Sequence, residues 1–180
     1  MAVFTDLIET ERSTISNRSI KLFTLSGIYH ATQNVLAGRD DEPVDAKLHL
    51  AAEFWNEVAE HIPDWKLAKQ RKVSAADLRR DYIHAHTLAL VSLGRAGNEL
   101  LRCHPRDWKS KLGRLKTLDW SRNNAELWEG RAMNAGRLSK RGVNVVLTGN
   151  LIKRHLGLEL TAEEQALEND FLGVKNGQLV

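Results

Sequence analysis

Apolar side chains recur in this chain at three-to-five-residue spacing, and proline interrupts that rhythm at only three positions, Pro43, Pro63 and Pro105. A residue that returns to the same face about every 3.6 positions marks a helix, whereas strands alternate with a period of about two. Proline lacks an amide donor and crowds the preceding turn, so each of the three sets an element boundary. Residues 19–37 carry a stripe of Ile20, Phe23, Ile28, Ala31 and Val35, with Asn17 or Ser19 as cap and Gly38 as stop. Residues 44–62 place Leu48, Ala51, Ala52, Trp55, Val58 and Ile62 on one face before Pro63 ends them. Residues 63–73 read as a basic loop anchored by Trp65.

From Ser74, positioned to cap Asp77, one long helix is predicted through Leu78, Tyr82, Ala85, Leu93 and Leu100 to Pro105. Gly94 and Gly97 fall late in it, where about 1 kcal/mol each in lost helix propensity points to a close helix–helix approach. A short helix follows over 105–116, opened by Pro105. Residues 117–142 read as loop and short turns, 143–156 as a helix stopped by Gly157, and Thr161 to Glu164 as the capping box of a last helix. Residues 173–180 read as a frayed tail. Strand signals are confined to VFTDL and VNVVL. The expected fold is mainly α: one irregular helical domain, residues 1–180, of about five to seven helices with long loops and little or no sheet.

Hydrophobic residues at 42% and charged residues at 27% suit a folded chain rather than a disordered one. There is no apolar run of membrane-spanning length, about 18 residues, and no basic-then-apolar leader, so no membrane is expected and the expected location is cytoplasmic.

Charge is unevenly distributed. Residues 1–101 carry 12 Lys/Arg against 14 Asp/Glu, residues 102–155 carry 13 against 4, and residues 156–180 carry 1 against 5. A basic block between acidic flanks predicts a surface for a polyanion. Its candidate contact residues are Arg106, Lys109, Lys111, Arg114, Lys116, Arg122, Arg131, Arg137, Lys140, Arg141, Lys153 and Arg154. Trp108, Trp120 and Trp128 interleave with them; pinning the irregular segment to the core is favoured over stacking on bases.

Catalytic constellations are weak. His84 and His86 point to different helix faces, the other histidines are dispersed, and no HExxH string occurs, so neither a metal nor a cofactor is expected. Cys103 beside His104 lacks an orienting third group and reads as a buried structural cysteine. The paired glycines at 130–136 and 142–149 fit neither phosphate-loop pattern. Residues 150–170 could fold as a helix-turn-helix, but Glu163, Glu164, Glu168 and Asp170 on the second helix would meet DNA phosphates, which favours simple packing.

Three segments together carry a family resemblance: SNRSIKLFTLSGIYHAT, LRRDYIHAHTLALVSLGRAGNELL, and LDWSRNNAELWEGRAMNAGRLSKRGVNVVLTGNLIKRHLGLELTAEEQALENDF. In content and order they resemble the C-terminal half of the DndB family, the DNA phosphorothioation B proteins of the DGQHR-domain group. The resemblance covers roughly residues 3–172. It implies a DNA-binding regulator of a gene cluster that replaces a non-bridging phosphate oxygen by sulfur, and not the sulfur-transferring enzyme. A single cysteine, too few to hold an iron–sulfur cluster, agrees with that division. No DGQHR string occurs, so the resemblance further implies that the N-terminal half is absent and that an apolar face is left open to self-association. The expected partners are DNA, through its phosphates, and other phosphorothioation proteins. The alternative is a non-catalytic helical module docking onto such a protein or onto the missing half.

Overall fold

The computed structural model describes residues 2–175, and its secondary structure is mainly helical. The helices are α1 (Leu25–Val35), α2 (Val44–His61), α3 (Pro63–Lys69), α4 (Ala75–Asp81), α5 (Thr87–Cys103), α6 (Trp108–Leu112), α7 (Ala125–Trp128), α8 (Gly142–Leu156) and α9 (Ala162–Lys175). Two minimal strand pairs accompany them: β1 (Ile8–Glu9) parallel to β2 (Phe23–Thr24), and β3 (Met133–Asn134) antiparallel to β4 (Arg137–Leu138).

Helix α5 is the central element, packed between α1 and α8. The late glycines make this possible. A Cβ on Gly94 would collide with the Ala31 carbonyl oxygen of α1, and one on Gly97 with the Phe54 ring of α2. Around α5, Phe4, Phe23, Phe54, Trp55 and Trp65 interlock through mostly edge-to-face ring pairs at 5.1 to 5.8 Å. Trp120 and Trp128 stack on each other at 5.6 Å instead of facing solvent. With Trp108 they are buried, so the three tryptophans pin the irregular middle segment to the core.

Several boundaries differ from the sequence expectation. The first helix begins at Leu25, capped by the Thr24 hydroxyl; Ser19 and Ile20 precede it, and Ile20 is exposed. Leu48 is solvent-facing and Phe54 takes the core position. Pro63 ends α2 but opens α3, because at a first helical position its missing N–H costs nothing. The long helix expected from Ser74 breaks at Tyr82, which forms a bridge to Ser121, while the Ile83 amide donates to the Trp120 carbonyl at 2.9 Å. Pro105 lies ahead of α6, which starts at Trp108. VNVVL is helical, as the start of α8. The hairpin turn Ala135-Gly136 has φ of 49° and 70°, and the Glu129 carboxylate accepts from both turn amides. Residues 173–175 extend α9; the rest of the expected frayed tail lies outside the described residues. Among the described residues no helix is long and apolar enough to cross a membrane.

Candidate nucleic-acid interface

The basic block does not gather into one patch. Helix α8, with 15 residues, is about 22 Å long and separates it into two groups. Arg141 stands immediately before α8, next to Lys140, and Arg137 lies on β4; all three are exposed and make no ion pair among the described residues. At the far end, the His155 Nε2 donates to the Arg114 carbonyl at 2.7 Å, which seats residues 113–117 against the last turn of α8. Arg114 and Lys116 are exposed there, Arg106 precedes α6, Lys111 lies on α6, and Lys109, also on α6, is ion-paired with Glu53 of α2.

Two candidates are interior. The Arg131 guanidinium forms a two-pronged pair with fully buried Glu168, its second nitrogen donating at 2.7 Å, and also donates to the Leu147 carbonyl at 3.1 Å. Lys153 donates to both carboxylate oxygens of Glu164, at 2.7 and 2.9 Å. The outward placement expected of Arg131 and Lys153 is therefore corrected: a charge this deep in the protein is stable only when paired, and α9 supplies the carboxylates. Arg154 is exposed and lies 3.7 Å from Glu168. Of the four acidic residues that weigh against a DNA-reading α9, Glu164 and Glu168 thus have a packing role, while Glu163 and Asp170 are exposed. The Thr161–Glu164 capping box forms in both directions, at 3.1 and 3.2 Å.

Arg122 joins distant segments. It donates to the Arg80 carbonyl and to the Gly136 carbonyl, both at 3.0 Å, and so ties the hairpin tip to α4. Together with Lys140 it lines a cleft of about 600 Å³ whose other cations are Arg79 and Arg80. Arg79 reaches across to the 16–21 segment, donating to the carbonyls of Ser16, Asn17, Ser19 and Lys21. Arg80 is held by Asp77 and Asp81. Among the described residues no acidic side chain lines the cleft. Arg79 and Arg80 lie outside the sequence candidates because they belong to residues 1–101, where acidic residues are in excess. The Tyr82–Ser121 bridge and the Arg122 bonds to the Arg80 and Asp81 carbonyls bring them beside the block.

His86, at the same place, donates from Nε2 to the Arg79 carbonyl at 2.7 Å. Burial, opposed by that hydrogen bond and reinforced by the charges of Arg122 and Arg79, pushes its pKa down to about 4. Cys103 is exposed, contrary to the expected burial; its Sγ–H bond to Glu99 holds the thiol pKa up and the sulfur protonated, the reverse of an activated nucleophile. No group of three His, Cys, Asp or Glu suited to a metal occurs among the described residues.

Comparison with known proteins agrees with the sequence motifs. No curated protein and no solved structure matches the chain. A sequence model of DndB, described as DNA-sulfur modification-associated, matches residues 1–159 of the 180. With most of its length covered, the chain belongs to the DndB family, whose members are associated with sulfur modification of DNA.

Proposed function

We propose that this protein is a DNA-binding regulatory component of a DNA sulfur-modification system, gripping the phosphate backbone without catalysing a reaction. The observation that carries the reading is the convergence of Arg137, Lys140 and Arg141 with Arg79, Arg80 and Arg122 at the start of α8, beside a cleft wall free of carboxylates. Cations held by backbone carbonyls or left unpaired keep their full charge for a polyanion. Such contacts position a protein on a duplex and do not by themselves read its sequence.

The test is duplex binding by fluorescence anisotropy across a salt series. Log K is expected to fall linearly with log[salt], by roughly 0.9 per phosphate neutralised. R137A/R141A is expected to weaken binding at least tenfold and to reduce the slope by about two. A flat salt response refutes the reading. The same substitutions at Arg106, Lys111 and Lys116 measure the share of the group at the other end of α8. Steady-state assays with ATP and DNA test the non-catalytic part; turnover would overturn it.

A second reading, a protein-interaction module, is favoured by exposed apolar pairs one helical turn apart: Leu25 and Tyr29 on α1, Val44 and Leu48 on α2. Co-purification with another protein of the modification system, lost in Y29S/L48S while DNA retention persists, would support it.

A further inference from the structure

We propose that the cleft between the 13–24 segment, α4 and the start of α5 is a pocket for the phosphate group of a nucleotide, either free or at a strand end. It rests on a cleft lining that excludes the exposed Arg137 and Arg141, and asks for a single bound group, not a track of backbone phosphates.

The lining has a consistent chemistry. It presents four cations, Arg79, Arg80, Arg122 and Lys140, with no acidic side chain among them. Arg80 is offset by Asp77 and Asp81, and Asp81 also acts on Arg122. The hydrogen bonds of Arg79 go to neutral carbonyls, and so do those of Arg122, on which Asp81 acts only through space. Hydrogen bonds to carbonyls immobilise a guanidinium without cancelling its charge, so both arrive pre-organised for an oxyanion. Burial of Arg79 costs free energy that no carboxylate repays, as the downward shift of its pKa records. An anion in the cleft would supply the missing countercharge.

Hydroxyls complete the wall. Ser13, Thr14, Thr24 and Thr87 all face the cleft. Helices α1 and α5 both begin there, at Leu25 and Thr87, and a Cβ on Gly27 would lie 2.7 Å from the Thr87 Oγ1, so the two starts are in contact. Thr24 caps α1, but no side chain caps α5, whose 17 residues direct a positive end toward the same space. At about 600 Å³ the cleft is far larger than a phosphate ion and falls within the usual range for a small ligand. Ile15, half-buried and backed by the core residues Leu22 and Ala85, provides an apolar surface on which a base or sugar can rest.

The experiment is calorimetric titration of the full chain with adenosine 5′-monophosphate, adenosine and sodium phosphate, and with 5′-phosphorylated and 5′-hydroxyl versions of one oligonucleotide. The monophosphate is expected to bind saturably, adenosine not at all. K140A, an exposed unpaired lysine, and T87V, a shape-conserving change, are each expected to weaken the monophosphate at least fivefold, while R137A/R141A leaves it within twofold. Preference for the 5′-phosphorylated oligonucleotide identifies a strand end as the source; equal affinity for the two identifies the free nucleotide. Equal heats from adenosine and its monophosphate, or unchanged affinity in both K140A and T87V, overturns the proposal. Because R137A/R141A reports on the duplex surface and T87V on the cleft, either idea can fail with the other intact.

Discussion

Removing the Arg131 guanidinium asks whether the most basic stretch of the chain is partly scaffold. Arg131 lies between α7 and the β3–β4 hairpin, and Glu168 lies on α9, so their two-pronged pair fastens the C-terminal helix to the middle of the protein. Glu168 is fully buried, and Arg131 also donates to Leu147 and stacks 4.5 Å above the Phe171 ring. R131M keeps the aliphatic volume and deletes the charge. Among the described residues the carboxylate then keeps Arg154, at 3.7 Å, as its ion-pair partner. Breaking one side of a buried pair costs about 3–5 kcal/mol; Arg154 places the expected loss near the lower figure, about 3 kcal/mol. Against a typical total of about 5–15 kcal/mol this is a large share, visible as a marked fall in the urea midpoint. Tryptophan fluorescence is a suitable probe, because stacked Trp120 and Trp128 are in the same region. The double variant R131M/E168L removes both charges and is expected to recover most of the loss, since apolar replacements of buried pairs are often neutral. A loss below about 1 kcal/mol in R131M, or full stability with tenfold weaker DNA binding, would refute the reasoning and return Arg131 to the interface.

Two further outcomes are expected. G94A adds a favourable helix term of about 1 kcal/mol but drives a methyl into the Ala31 carbonyl, a backbone atom that cannot swing away, so net destabilisation of about 1–3 kcal/mol is expected in chemical denaturation. His86 titrates at about 4 when folded against an ordinary 6.5, so the unfolded chain binds the extra proton between those values and stability falls as pH drops through that window. The deficit amounts to about 3 kcal/mol at most below pH 4, and H86Q, which keeps a donor for the Arg79 carbonyl, is expected to lose that part of the acid sensitivity; identical pH–stability curves for the two proteins would contradict this.

The helices were legible wherever an apolar stripe, a cap and a stop coincided. Thr161 and Glu164 cap each other, the Ser74 hydroxyl accepts from Asp77, and Gly157 closes α8 with φ of 79°. Gly94 and Gly97 announced a close approach, and the α5 contacts with Ala31 and Phe54 are that approach. The break at Tyr82 was hidden because its cause lies about forty residues away, in the bridge to Ser121 and the Ile83 bond to Trp120. The β3–β4 hairpin escaped for a related reason. Its strands have two residues each, too few to show alternation, and its turn is held by Glu129, so nothing within the hairpin's own sequence demands it.

Charge was the least legible property, because net charge along a chain is a one-dimensional quantity and a surface is not. The surplus in residues 102–155 is real, but folding disposes of it in three ways. Arg131 and Lys153 are neutralised inside, by carboxylates from the acidic segment that follows. Arg114 and Lys116 are displaced to one end of α8, with Arg106 and Lys111 around α6. Only Arg122, Arg137, Lys140 and Arg141 come together, and they do so with Arg79 and Arg80, which belong to a stretch that is acidic overall. Glu164 and Glu168 of the C-terminal acidic flank therefore serve as internal counterions, and the basic face is not uniform. Polyanion recognition is then expected to depend on a few convergent cations more than on the total. Measured salt slopes are accordingly expected to correspond to two to four phosphates, well short of the twelve that the sequence offered, because interior and remote cations release no counterions from the bound duplex.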